Sequence, residues 1–181
     1  RFAILASMAT GRSKAYNLLK SEDVMSTLSS LKKLGVKIKL TKKYCTINGR
    51  GLNGYVFKDN VTINAGNSGT TARLLFSVLV SSTKWVKITG DRSLKKRDMY
   101  RIIKPLKLFG VKFKKNSKKL PISLMGPKLL QPINFTEKLG SAQCKSAVMI
   151  AALKAKGKTK LKCLPSRNHT ELMFKNVLKI P

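Results

Sequence analysis

The hydrophobic positions along the chain follow one order, and that order recurs. Leu31-Lys-Lys-Leu-Gly35-Val-Lys-Ile-Lys39 returns as Leu106-Lys-Leu-Phe-Gly110-Val-Lys-Phe-Lys114. Each copy reads as the end of an amphipathic helix, a glycine that stops it, and a strand in which apolar residues alternate with lysines. Upstream of the first copy the pattern predicts a helix over 1–9, a strand over 13–19 and a second helix from Glu22-Asp23. Upstream of the second it predicts a helix over 71–80, a strand over 84–89 and a helix starting near Asp98. A third copy begins with a helix over 142–153 and a strand over 159–164, enters a helix near His169, and reaches Pro181 about where the next Gly-Val strand is expected. Further strands are predicted over 43–48 and 54–58, around a Gly49-Arg50-Gly51 turn, and over 120–125 and 131–135.

The predicted fold class is therefore α/β, with repeated helix-strand-helix-strand units over about 1–60, 61–135 and 136–181. No low-complexity linker divides them, so 1–181 is expected to be a single partial domain whose third unit is truncated. No apolar run approaches the roughly 20 residues that a membrane helix needs, which predicts no membrane partner. The first residues, Arg1-Phe-Ala-Ile-Leu-Ala-Ser-Met, resemble a signal peptide superficially, but they run straight into patterned sequence and read as a core helix entered midway.

Composition changes this picture in one respect. The formal charge is +31, from 38 basic and 7 acidic residues, which suggests a polyanion as partner. Most of the basic residues are lysines scattered through almost every segment, including the pairs Lys32-Lys33, Lys42-Lys43, Lys95-Lys96, Lys114-Lys115 and Lys118-Lys119. The sequence shows no stripe of arginines and aromatics and no recognition helix, so a lysine-rich solvated surface around a small-anion site is preferred, and no nucleic-acid partner is expected. Cys45, Cys144 and Cys163 are odd in number and widely spaced, which fits a reduced, cytoplasmic chain with each thiol as a small buried apolar residue.

Candidate chemistry sits at predicted helix starts. Asn67-Ser68-Gly69-Thr70-Thr71-Ala72-Arg73 follows a strand-like Val61-Thr-Ile and opens an apolar helix. By spacing alone it reads equally as an anion cradle of free backbone N–H groups with Arg73 one turn in, or as an ordinary capped helix. Gly90-Asp-Arg92-Ser-Leu-Lys95-Lys96-Arg97-Asp98 lies in a loop between strand and helix, where Arg97 could present its planar fork to a carboxylate or phosphate. Gly140-Ser141-Ala142-Gln143-Cys144-Lys145-Ser146 again places small polar residues before a helix, and Ser166-Arg167-Asn168-His169-Thr170-Glu171 follows. His169, the one histidine, reads as a cap or surface residue rather than a base. The seven carboxylates form no obvious acid/base pair. Glu22, Asp23 and Asp98 are placed to favour the positive ends of helices.

Taken in order, Asn67-Ser-Gly-Thr-Thr-Ala-Arg73-Leu, Gly90-Asp-x-Ser-Leu-x-Lys-Arg97, Ser141-Ala-Gln143-x-Lys-Ser and Ser166-Arg167-x-His-Thr-Glu171 resemble the EPSP synthase (3-phosphoshikimate 1-carboxyvinyltransferase) family. The Ser-Ala-Gln and Arg-x-His-Thr-Glu forms resemble its bacterial class II branch. The resemblance covers nearly the whole chain, including Ser21-Glu-Asp-Val24. It implies an inverse α/β barrel domain, the N-terminal half of a two-domain enzyme with its active site in the cleft between the domains. The implied reaction transfers enolpyruvyl from phosphoenolpyruvate to the 5-hydroxyl of shikimate 3-phosphate and releases phosphate, in the shikimate pathway of aromatic amino acid biosynthesis. By position, Arg1, Ser141, Ala142, Gln143 and Arg167 would line the shikimate 3-phosphate site. Gly69, Arg97 and Gln143 would contact phosphoenolpyruvate, with Asn67 and Arg73 supporting the loop. No metal or organic cofactor is implied, and the complete enzyme is expected to be monomeric.

Departures from the family pattern matter as much. The family's Lys-Ser pair would precede Arg1, and its proton-transferring Asp and Glu belong to the other domain, so no catalytic residue is expected within 1–181 and the fragment alone is expected to be inactive. Asp98 stands where the family usually has Pro, which bears on local loop geometry. The sister family that uses UDP-N-acetylglucosamine usually carries a reactive Cys between the positions of Gly90 and Arg97, and none is present. Gly69 keeps the glycine at a position where small changes alter inhibitor tolerance in the family.

Overall fold

The computed structural model describes residues 1–114 and 118–176. Lys115 of the Lys114-Lys115 pair and the close of the third unit at 177–181 lie outside the described residues.

In chain order the elements are α1 (Phe2–Met8), β1 (Thr10–Tyr16), α2 (Glu22–Lys33), β2 (Lys37–Leu40), β3 (Tyr44–Arg50), β4 (Val61–Asn64), α3 (Gly69–Val78), β5 (Val86–Thr89), α4 (Arg92–Lys96), α5 (Tyr100–Leu108), β6 (Lys112–Lys114), β7 (Ile122–Met125), β8 (Asn134–Glu137), α6 (Ala142–Ala152), β9 (Lys160–Cys163) and α7 (His169–Asn176). Among the described residues the strands form three separate sheets with orders β1-β3-β2, β4-β5-β7-β6 and β8-β9. The first is antiparallel; the second joins the parallel pair β4-β5 to antiparallel β7 and β6; the third is a parallel pair.

Helices α1, α3 and α6 are buried along almost their whole lengths. They meet in a cluster of Ile4, Leu5 and Met8 from α1, Leu74 and Val78 from α3, and Ile150 from α6, closed by Phe174 of α7. Beyond their polar first turns such helices are apolar on nearly every side and need a shell around them. The sheets and amphipathic α2 and α5 supply that shell, which makes the architecture an inverse α/β barrel domain.

The repeat seen in the sequence is a repeat of core positions. Leu31, Leu34 and Val36 in the first copy and Leu106, Phe109 and Val111 in the second are all buried. Gly35 and Gly110 both take positive φ, 83° and 93°, the left-handed turn that ends a helix and for which glycine has no Cβ penalty. In α2, Glu22 and Asp23 occupy the first turn and Lys32 and Lys33 the last, each set matching the helix dipole.

Several sequence expectations are corrected. The strand predicted over 13–19 runs instead from Thr10 to Tyr16, because Asn17 (φ 50°) turns the chain out of the ladder. Segment 54–58 is not a strand: Val56 N–H donates to the Leu34 carbonyl at the end of α2, while the Gly54 and Phe57 carbonyls accept from Arg50 Nε and Lys84 Nζ. The expected turn residues Gly49 and Arg50 belong to β3. The helix expected near Asp98 begins at Tyr100, whose N–H donates to the Asp98 carboxylate at 2.6 Å, but the segment before it, read as a loop, holds the short helix α4, which ends where Arg97 is extended (ψ 140°). Cys163 is exposed, unlike Cys45 and Cys144, because among the described residues β9 has only β8 beside it. β8, predicted near the end of the second unit, pairs with β9 of the third.

Lys154, just past α6, turns its ammonium inward. It donates to the carbonyl of Val78, the last residue of α3, and to Ser81 Oγ at 3.2 Å, and it lies 5.5 Å from the centre of the Tyr55 ring. Burial pushes this amine down to about 7. A lysine depressed in the folded state binds fewer protons there than when unfolded, so its contribution raises stability as pH climbs from about 7 toward the unfolded value near 10.5. Thermal unfolding of the native chain and Lys154→Met, followed from pH 6 to 10, should show the difference moving in favour of the native chain above pH 7, by at most about 1.4 kcal/mol per pH unit.

Candidate functional site

Two serine caps open the site. Ser68 Oγ accepts from Thr71 N–H at 3.1 Å at the start of α3, and Ser141 Oγ accepts from Cys144 N–H at 3.3 Å at the start of α6. The loop before α3 is tied to the loop before α4: Ala65 N–H donates to the Thr89 carbonyl and Asp91 N–H to the Gly66 carbonyl, each at 2.9 Å. Asp91 in turn caps α4 by accepting from Leu94 N–H at 2.6 Å. Arg97, at the end of α4, is thereby carried to the start of α3.

Between these helix starts Gln143 acts as a clamp. Its Oε1 accepts from Arg73 Nη1 at 2.8 Å and its Nε2 donates to Thr70 Oγ1 at 3.0 Å. Arg73 Nη2 also donates to the Asp98 carbonyl at 3.2 Å, and Arg97 Nη2 donates to Asn67 Oδ1 at 3.0 Å. The guanidinium groups meet over Gly69, where a Cβ would lie 2.9 Å from Arg73 Nη1 and 3.2 Å from Arg97 Nη1. A cavity of about 460 Å³ is lined by Asn67, Ser68, Gly69, Thr70, Arg73, Arg97 and Gln143, with Ser21, Glu22 and Asp23 on its far wall. A second cavity of about 260 Å³ lies behind Arg73 and Gln143, with Asp98, Arg101, Ile102 and Ser141.

A second basic group flanks α6. Arg1 Nε donates to Thr170 Oγ1 at 3.1 Å, and Thr170 Oγ1 shares a 2.7 Å hydrogen bond with Ser146 Oγ of α6. Lys145 and Glu171 form an ion pair, while Glu171 Oε2 and Ser166 Oγ are buried without a hydrogen-bond partner among the described residues. Arg167 and His169 are exposed, and Ala142 is buried in the first turn of α6.

An excess of positive over negative charge is the common feature. The Arg73 guanidinium is held below its ordinary value by burial and by Arg97 and Arg101, with Asp98 opposing. Arg1 is lowered by burial and by Arg167, with Glu171 opposing. Guanidinium groups stay charged, so this arrangement favours an anion as neighbour over proton loss. The Cys144 thiol is raised to about 12, first by burial and then by Glu137, which removes it as a nucleophile. No group of three or more His, Cys, Asp or Glu among the described residues could hold a metal ion, and no helix among them is long and apolar enough to cross a membrane.

Of the residues singled out in the sequence, Asn67, Gly69, Arg73, Arg97 and Gln143 share one cavity and Ser141 lines the next. Arg1 and Arg167 belong to the second basic group. Sequence reading did not single out Thr70, Arg101 or Ser166 as site residues. Thr70 and Ser166 sit inside the quoted motifs, but Arg101 reaches the site only because α5 packs on α6.

A helical core inside strands, with arginines gathered over two adjoining helix starts, defines an inverse α/β barrel domain with an anion-receptive end. The family model for EPSP synthase (3-phosphoshikimate 1-carboxyvinyltransferase) matches residues 1–178. The 3-phosphoshikimate 1-carboxyvinyltransferase of Petrotoga mobilis is 41% identical over 179 residues, 97% of this chain and 41% of that protein. That of Streptococcus pyogenes serotype M49 is 42% identical over 177 residues, 96% of this chain and 41% of that protein. The solved structure of EPSP synthase from Acinetobacter baumannii superposes with a TM-score of 0.89 at 34% identity, over 96% of this chain and 40% of that one. The chain belongs to the EPSP synthase family, and it spans about two fifths of the length of these relatives.

The clamp yields a direct test. Gly69→Ala should displace both guanidinium groups by a few tenths of an ångström and weaken binding of a small phosphorylated anion roughly tenfold, about 1.4 kcal/mol, in isothermal titration, with unfolding temperature nearly unchanged.

Proposed function

We propose that this chain supplies the N-terminal-domain half of the active site of a two-domain cytoplasmic 3-phosphoshikimate 1-carboxyvinyltransferase, monomeric when complete. In the proposed reaction the 5-hydroxyl oxygen of shikimate 3-phosphate attacks C2 of phosphoenolpyruvate as C3 is protonated. Loss of inorganic phosphate from C2 and of a proton from C3 then leaves the enolpyruvyl ether. Both substrates are anions. The observation that carries the reading is the pair of basic groups on either side of the first turn of α6, with Gln143 between them.

In this reading Arg97 and the Gly69 turn receive phosphoenolpyruvate, while Asn67 and Arg73 hold the loop and Gln143 serves both substrates. Arg1, Ser141, Ala142 and Arg167 receive shikimate 3-phosphate. Preorganised guanidinium groups in a partly dry site stabilise charge that develops on the departing phosphate without reorganising at the moment of reaction. Proton transfer falls to carboxylates of the second domain, and closure of the two domains would exclude water.

Phosphate release from phosphoenolpyruvate by the full-length protein should require shikimate 3-phosphate and fail with UDP-N-acetylglucosamine; release with neither acceptor would overturn the reading. Arg97→Ala should lower kcat/KM for phosphoenolpyruvate by about 10²- to 10³-fold. Arg167→Ala should act mainly on the KM for shikimate 3-phosphate. Residues 1–181 alone should show no turnover, and turnover by them would show that the acid/base groups lie within this chain.

A further inference from the structure

The lysine-rich surface is not uniformly scattered once the chain is folded. Along β1 the side chains that face out are those of Arg12, Lys14 and Tyr16, and along β2 those of Lys37 and Lys39, because strand residues alternate between faces. The ladder sets these residues in rows: Arg12 opposite Asn48 opposite Lys37, then Lys14 opposite Thr46 opposite Lys39, then Tyr16 opposite Tyr44. Cys45 and Ile47 of β3 point the other way, into the core. Rows on one strand lie about 7 Å apart, and the outer strands lie about 10 Å apart across β3. None of the three strands contains an Asp or Glu.

At one end of this face Tyr16 is 65% exposed and meets Tyr44 edge to face at 6.4 Å. The Lys14 ammonium lies 4.6 Å from the centre of one ring and 4.4 Å from the other. Beyond the backbone ladder, the side chains of Arg12, Lys37 and Lys39 have no hydrogen bond or ion pair among the described residues. Exposed Lys42 and Lys43 extend the cationic edge at the turn between β2 and β3.

We propose that the outer face of the β1-β3-β2 sheet is a binding platform for single-stranded nucleic acid, separate from the anion site at the helix starts. Four unpaired or ring-bound cations in two rows suit a chain of phosphates, which would release counterions on docking. An exposed tyrosine at the end of those rows offers a stacking surface that every base can use, and the open face of a three-stranded sheet accepts splayed bases where a duplex groove would not seat. Charge complementarity is what selects the occupant, since the face carries cations and hydroxyls with no carboxylate and little apolar surface to enter a bilayer. The expectation of no nucleic-acid partner rested on lysines that look dispersed in sequence and become aligned only by strand pairing.

The test is fluorescence anisotropy of the full-length protein with a labelled oligouridylate about 12 nucleotides long, titrated at several salt concentrations. The expected log–log salt slope is about −3, from four neutralised phosphates at about −0.7 each. Lys14→Glu combined with Lys39→Glu should weaken binding at least tenfold and flatten the slope by about 0.7 for each cation removed. Tyr16→Ala should weaken binding with the slope unchanged. Reversing two exposed lysines of the other sheets, Lys87→Glu with Lys162→Glu, should change the affinity far less. Equal losses in both double variants would mean diffuse attraction to net charge and would overturn the proposal. So would binding to phosphatidylserine vesicles that depends on Lys14 and Lys39 when the oligonucleotide does not bind. If the charge-reversed pair fails to fold by circular dichroism, Lys14→Gln with Lys39→Gln decides on the same readouts.

Discussion

Everything at the site depends on α3 and α6 running side by side in the same direction. The two helices are pinned at both ends. Gln143 joins their first turns through Thr70 and Arg73, and Lys154 joins their last turns through the Val78 carbonyl. Between these polar pins the contact is apolar, with Leu74 and Val78 meeting Ile150 in the cluster that α1 completes. Parallel helices add their dipoles rather than cancelling them, so positive potential from the unpaired N–H groups accumulates at one end.

The same end of the molecule gathers arginines, whereas most of the surface carries lysines. Arg73, Arg97 and Arg101 lie near one another on one side of α6, and Arg1 and Arg167 on the other. A planar guanidinium fork suits two-point recognition of carboxylate or phosphate, while an ammonium is a strongly hydrated point charge. The fold thus separates two uses of positive charge: forks held by Gln143, Asn67 and Thr170 at the helix starts, and exposed ammonium groups on the outer faces of the sheets.

Much of this was legible in the sequence because it depends on local chemistry. The Gly35 and Gly110 stops, the buried Leu-Leu-Val and Leu-Phe-Val triplets around them, and the caps at Ser68 and Ser141 follow from helix and strand periods that act over a few residues. The misses share a cause too. Segment 54–58 has an alternating pattern, yet its backbone groups are taken by Leu34, Arg50 and Lys84 from elsewhere in the chain. The segment 92–96, expected to be loop, forms α4 because the Asp91 carboxylate caps it through the Leu94 N–H, a contact that its polar composition does not register. Cys163 is exposed because the sheet it belongs to has two strands among the described residues and leaves it uncovered.

What the sequence by itself determined was the unit: its element types, its glycine stops, its capped helix starts and the ordered motifs that mark the family. Those properties are written in short-range spacing, so a single chain displays them without partners. Only the tertiary structure decided which helix starts adjoin, which arginines face one cavity, that Gln143 clamps Arg73 against Thr70, and that dispersed lysines form rows on one sheet. Each of these pairs residues far apart in sequence, and their proximity follows from burying three apolar helices together and from strand register, which no local pattern encodes.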